Sequence, residues 1–333
     1  MTLLQLSIPF LLAFNLMLGS VSIPVGEVAR IICGASSENQ VWTNIILDTR
    51  LPQALTAMAC GAALSVAGLQ MQTLFHNPLA GPSVLGVSSA ASLGVAFVVL
   101  LNGTIGGGIV SQFGLMGNSA IVFAAIVGAL SVMALIVYLS QKFEGYVTLL
   151  IVGVLIGYIA TAIIGVLKYF SSEEDVRAYV IWGLGSFSKV TGGQIGVYLT
   201  LIALMLPASM LLAKPLNQLL IGEQYAVNLG LDIRKARLAT IATAGCLVAI
   251  VTAYCGPIMF LGLAVPHICR GLLNTADHKV LLPATMLCGA SIALLCNIIA
   301  RLPGFEGALP INSVTALIGA PVALKVILKR KGK

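Results

Sequence analysis

The chain has 333 residues, of which 59% are hydrophobic and 9% charged, with a formal net charge of +7. Its mean hydropathy is +1.03, and charge is about a third of the roughly 25% usual in soluble domains. Too few polar residues remain to clothe a water-facing surface, so a soluble globular protein is excluded and most of the chain must lie in lipid.

The apolar residues fall in continuous runs rather than in the ten-residue alternation of a β-barrel. The fold class is therefore an all-α integral membrane protein, and the 35 glycines suit close contacts between its helices. A spanning helix needs about 20 mostly apolar residues. On that length ten are predicted, at about 3–20, 53–71, 83–101, 119–140, 147–167, 195–213, 238–255, 257–270, 281–300 and 312–329. The first has no Lys or Arg before its apolar core and no A-x-A site after it, so it reads as a retained helix and not a signal peptide. The eighth is short and contains Pro257 and Pro266, which predicts a broken or partly spanning helix. With both termini placed in the cytoplasm, 12 of the 18 bases lie at cytoplasmic ends and seven of the 11 acids lie outside. That bias supports the N-in, C-in arrangement. In the longest outer loop, Ala178–Leu184 is apolar enough to form a short interfacial helix. The whole chain, 1–333, is one bundle with no extramembrane domain of any size.

Between helices 2 and 3, "HNPLAGP" breaks the chain, because Pro78 and Pro82 cannot sit inside a regular helix. Asn77 is placed to turn its side chain onto the loosened backbone groups. The helix that follows, through Ser83, Gly86, Ser88, Ser89, Ala90 and Gly94, has little bulk on one side. Such a face either packs closely on a neighbour or lines a passage. "GPIMFLG" from Gly256 echoes "GPSVLG" from Gly81, as an inverted repeat would.

The stretch Leu216–Arg237, inside a segment running from 214, concentrates two acids and three bases in a greasy chain. Gly222 and Gly230 divide it into short helical pieces. Glu223 stands at a helix start, where an acid favours the dipole, and Tyr225, Ala226 and Leu229 are placed on one face. Gly230 can close the piece in the left-handed conformation. Such an elbow is either gripped by a partner protein or rests on lipid headgroups.

No chemistry of the chain's own is legible. A P-loop needs G-x-x-x-x-G-K-[ST], and the only lysine directly after a glycine is Lys333. The predicted spans hold no Asp or Glu away from their ends, which argues against an ion-coupled carrier. Ser88 and Ser89 are near no histidine in sequence, so no catalytic residue is assigned. His76, His267 and His278 are far apart, no metal site is expected, and the seven cysteines read as small buried hydrophobes.

Four stretches together, "RLP…GAALSVAGLQMQTLFHNPLAGPSVLGVSSAASLG", "LNQLLIGEQYAVNLGLDIRKAR", "GPIMFLGLAVPHICR…DHKVLLP" and "LPINSVTALIGAPVAL", resemble the FecCD family of ABC-importer permeases from about Arg50 onward. The resemblance implies an inner-membrane permease paired with a second copy or a closely related permease. It also implies two cytoplasmic ATPase subunits, which hold ATP and Mg, and an extracytoplasmic binding protein that delivers a metal chelate. No cofactor is implied on this chain, and no nucleic acid among its partners. Ferric siderophore is the first cargo on that basis, with cobalamin and haem behind. The elbow matches the family's ATPase-coupling helices, which gives Leu219, Gly222, Glu223, Tyr225, Ala226, Leu229 and Gly230 a coupling role. Asn77, Pro78 and Leu79 match a cytoplasmic gate, and Arg50 and Arg301 match arginines that meet the binding protein. Three positions depart from the family pattern: Gln53 stands for a common arginine, Asn297 for a common aspartate, and "ALPIN" for "ELPIG". Glu306 lies two residues upstream of Ala308 and is a candidate replacement for the lost acid.

Overall fold

The computed structural model describes residues 2–19, 21–34, 39–101, 118–142, 145–190, 192–302 and 308–331. Among them every regular element is helical. In chain order these are α1 (Thr2–Met17), α2 (Val25–Ile32), α3 (Gln40–Asn44), α4 (Leu51–Leu74), α5 (Val87–Leu100), α6 (Asn118–Lys142), α7 (Tyr146–Phe170), α8 (Glu173–Gly183), α9 (Gly193–Met210), α10 (Ala213–Leu220), α11 (Glu223–Asn228), α12 (Ile233–Cys255), α13 (Leu261–Leu273), α14 (His278–Ala300) and α15 (Ile311–Lys331). A π-turn, Ile45–Arg50, joins α3 to α4.

Each of the ten predicted runs contains a helix, although the third begins only at Val87 and the eighth only at Leu261. Among the described residues six helices are long and apolar enough to cross a membrane, whereas α1, α5, α13 and the Ile311–Lys325 part of α15 are shorter apolar helices. The 13 residues of α13 reach only about 20 Å, short of a hydrocarbon core of about 30 Å. That fits the partly spanning helix expected there. The short helix expected between α7 and α9 starts earlier than predicted, at Glu173, because the Ser172 hydroxyl accepts the Asp175 N–H at 3.2 Å and caps it.

The core is apolar, as in a soluble protein, but here much of the outer surface is apolar too. In the span from Gln40 to Leu74, 89% of an 18-residue apolar window is buried, and Thr56, Ser65, Gln70, Gln72 and Thr73 are among the buried residues. The two most apolar spans, in α6 and α7, are only 22% buried and present their side chains outward. Hydrophobic residues on the outside and polar ones within suit a lipid surround, in which internal polar groups must satisfy one another.

Glycine sets the closest approaches. A methyl placed on Gly68 would fall inside the carbonyl of Gly262, and one on Gly61 inside that of Gly289. So α4 lies backbone to backbone against both α13 and α14. The small face of α5 has the same use, since Gly94 and Gly128 bring α5 against α6 and Gly86 meets Gly153 of α7. The two echoing breaks also touch, for a methyl on Gly262 would strike the Pro82 ring.

Candidate functional site

At one end of the bundle α10 and α11 form the elbow. Leu216, Leu219 and Ala226 are fully buried against the helices beneath, while Ile221, Tyr225, Val227 and Leu229 are each more than half exposed. The single face predicted for Tyr225, Ala226 and Leu229 is therefore corrected. Ala226 and Leu219 are the underside of the elbow, and Ile221 and Val227 join its outer face. Gly222 has φ 108°, and it turns the chain between the two helices in a conformation open to glycine alone. Gly230, at φ 80°, closes α11 as expected: its N–H bonds Val227 O at 2.8 Å and the Leu231 N–H bonds Ala226 O at 3.0 Å, a Schellman motif. Glu223 does more than favour a dipole. Its carboxylate accepts from the Arg237 guanidinium at 3.0 Å, which fastens α11 to the first turns of α12.

The gate segment is at the same end. The Asn77 side-chain oxygen accepts the Leu79 N–H at 3.0 Å, the local bond anticipated for it, and folds Pro78 and Leu79 into a tight turn. Leu79 is partly exposed. His267 of α13 donates its Nε2–H to the Pro78 carbonyl at 2.7 Å, and Arg270 one turn later donates to Gln72 Oε1 at 2.7 Å. The gate turn is thus tied to α13 as well as to α4.

The opposite end holds Arg50 and Arg301. Arg50 is not on the surface: it is 1% exposed, and its guanidinium donates to the carbonyls of Leu16 (2.8 Å), Met17 (3.0 Å) and Val21. These groups end α1 and begin the next loop, so Arg50 caps that helix from another one. Arg301 is half-buried beside it. A methyl on Gly19 would lie about 3 Å from both guanidiniums, which places two cations over one glycine with no acidic partner among the described residues. Glu306 lies outside the described residues.

The departures from the family pattern have structural answers. Gln53 donates to Asn297 Oδ1 at 3.0 Å, Asn297 donates to Asn15 Oδ1 at 2.7 Å, and Asn15 donates to Leu11 O and Leu294 O at 2.9 and 3.1 Å. Three buried amides thus bridge α1, α4 and α14 without a charge. In "ALPIN", Asn312 bonds the non-helical backbone before α13, donating to Pro257 O at 2.7 Å and accepting from Met259 N at 3.1 Å. Irregular backbone in a lipid-embedded bundle needs such partners.

A model of the FecCD transport family matches residues 7–329. The chain belongs to the FecCD transport family. As a FecCD protein it is the permease subunit of an ABC importer and not the catalytic component. Among relatives, the vitamin B12 import system permease protein BtuC of Escherichia coli O9:H4 (strain HS) is 38% identical over 286 residues, 86% of this chain and 84% of that one. BtuC of Klebsiella pneumoniae subsp. pneumoniae is 36% identical over 322 residues, 97% of this chain and 91% of its own. A solved structure assigned to the metal-chelate type of ABC transporter, in an inward-facing conformation, superposes with a TM-score of 0.84 at 29% identity, covering 98% of this chain and 97% of that one. PsaBC from Streptococcus pneumoniae in complex with Fab shares the fold, with a TM-score of 0.56 at 17% identity over 89% of this chain and 94% of that one.

Residue types alone did not single out Arg237, Asn15, Asn217 or His278 in this FecCD permease. The one local signal was a base beside an element end, at Arg237 after the elbow and at His278 at a helix start.

Proposed function

We propose that this chain moves a metal chelate of the cobalamin class across the bacterial inner membrane, powered by a separate ATPase. Two copies, or this chain and a related permease, enclose the passage. Both termini and the elbow face the cytoplasm, and two ATPase subunits carrying ATP and Mg grip the elbow. A binding protein outside delivers the cargo to the end where Arg301 and Arg50 lie. In this role Arg301 meets the partner's acids, and Arg50 fixes the rim by holding the end of α1.

The observation that carries the ATPase reading is the construction of the elbow. Four apolar side chains stand exposed on a segment whose underside is pinned by buried leucines and by the Arg237–Glu223 pair. A rigid, apolar, protruding handle suits a protein cleft, and the chain holds no P-loop of its own. For cargo, the BtuC names of relatives covering 86% or more of this chain support cobalamin ahead of ferric siderophore and haem. The solved neighbour of metal-chelate type supports the wider class. The permease needs only two states separated by a few kcal/mol, which an ATPase closing around the elbow can interconvert.

Reconstitution of the permease with its ATPase and binding protein in liposomes tests both points. Labelled cyanocobalamin should accumulate only with ATP, and a ferric siderophore should not. Uptake of the siderophore instead would move the cargo assignment. A permease that purifies alone and transports without ATP would refute the importer reading.

A further inference from the structure

The elbow and the gate turn are joined directly, and histidines make the join. α4 ends in a Schellman motif, with the His76 N–H on Thr73 O and the Asn77 N–H on Gln72 O, both at 3.2 Å. The left-handed position of that motif usually belongs to glycine, yet here it is His76, at φ 47°. The ring has a use that glycine could not supply. Its Nε2–H donates to Leu219 O at 2.9 Å, at the end of α10. A non-glycine residue held in this conformation points to function when its side chain is engaged in this way.

His278, the first residue of α14 and 1% exposed, makes the second link. The Asn217 side-chain oxygen accepts both the His278 backbone N–H and its Nδ1–H, each at 2.8 Å. Nε2 of the same ring lies 2.7 Å from the Thr73 hydroxyl, which also bonds the Leu69 carbonyl at 3.0 Å. Asn217 also donates to Asp277 Oδ1 at 2.6 Å, so both ends of its amide are engaged. Both links run from α10 to the last turn of α4, one residue before the gate turn of Asn77, Pro78 and Leu79. His76 is exposed and its bond competes with water, whereas breaking the His278 pair strands buried polar groups.

We propose that His76 and His278 are positioning residues that carry displacement of the elbow to the gate turn. This rests on the reading of the elbow as the ATPase handle. His76→Gly is the sharpest probe, since glycine keeps the left-handed backbone, relieves its strain and removes only the ring. In liposomes holding the full complex, His76→Gly should leave melting temperature, ATPase co-purification and ATP turnover within about twofold of wild type. Cobalamin taken up per ATP hydrolysed should fall at least about fivefold. His278→Leu should lower the same ratio further, and His278→Gln should restore part of it. An unchanged ratio in both His76→Gly and His278→Leu overturns the proposal, as does a loss that follows disassembly alone. A parallel Gly222→Pro variant separates the two readings. If it retains its ATPase, the handle reading fails, and if it loses the ATPase while the histidine variants keep a normal ratio, only the strap fails.

Discussion

The buried amide chain makes a quantitative prediction. Its polarity is set from one end, because the Asn15 NH2 faces two carbonyls, so its oxygen faces the Asn297 NH2, and the Asn297 oxygen faces the Gln53 NH2. An arginine at 53 could replace the Gln53 donor in geometry. It would also bury a third cation, one helical turn from buried Arg50 and near Arg301, with no anion beside it. An uncompensated buried charge costs about 3–5 kcal/mol. Aspartate at 297 supplies the anion, and a pair at about 3 Å in an effective dielectric near 20 recovers roughly 5 kcal/mol before desolvation. It cannot supply the NH2 that Asn15 Oδ1 accepts, and that loss costs about 1–3 kcal/mol.

Gln53→Arg should therefore destabilise by about 3–5 kcal/mol, and Asn297→Asp by less, since Arg301 lies four residues on along the same helix. The double variant should recover at least half of the Gln53→Arg loss, a coupling of about 2–3 kcal/mol. Melting of the detergent-purified permease reads this at about 2 °C per kcal/mol for a chain of this size. A double variant whose loss equals the sum of the singles, or a Gln53→Arg protein that melts like wild type, would refute the pairing argument.

Three further outcomes are expected. Asn312→Leu should cost about 1–3 kcal/mol for each backbone group it strands at Pro257 and Met259, read as a lower melting temperature. Gly68→Ala should destabilise by about 1–3 kcal/mol or more through overpacking, whereas Gly165→Ala, with open space around it, should be neutral or slightly stabilising, and equal melting shifts would refute the seam. Lys189 sits in a cleft of about 180 Å³ with Trp182 and Tyr254, and burial lowers its pKa from 10.5 to about 8. The folded state thus binds this proton less tightly than the unfolded chain, so Lys189 opposes folding below about pH 8 and that cost fades as pH rises towards 10.5. Competitive acylation of its amine should show a midpoint near 8, and a midpoint near 10.5 would contradict the burial.

The helices were legible because their signal is local. Apolar runs of spanning length, the proline breaks at Pro78 and Pro82, and the left-handed Gly230 each announce themselves within a few residues. The phase of α11 was not legible, since six residues are too few for periodicity to say that Ala226 turns inward. The role of the small face of α5 was open for another reason: glycine and serine suit both a seam and a passage, and only the position of Gly128 on α6 decides it. Partners distant in sequence were invisible. Gln53 and Asn297 are 244 residues apart and Asn297 and Asn15 are 282, so each looked like an isolated departure until the register of three helices placed them in one chain.

These contacts make α4 the member that reaches from one end of the bundle to the other. Its 24 residues extend about 36 Å, from Arg50 at the rim to the turn that carries Asn77. Along that length Gly61 and Gly68 seat it on α14 and α13 with no side chain between the backbones. A helix held this closely on two sides has little freedom to bend, because close-packed interiors transmit displacement rather than absorb it. α4, α13 and α14 therefore pack as one close-set body. The sparsely buried α6, α7 and α9 surround that body as the compliant layer. Among the described residues the buried polar groups are concentrated in α4, α12 and α14, where Gln53, Gln72 and Asn297 have hydrogen-bond partners while the hydroxyls of Thr56, Ser65 and Thr285 lie buried without one.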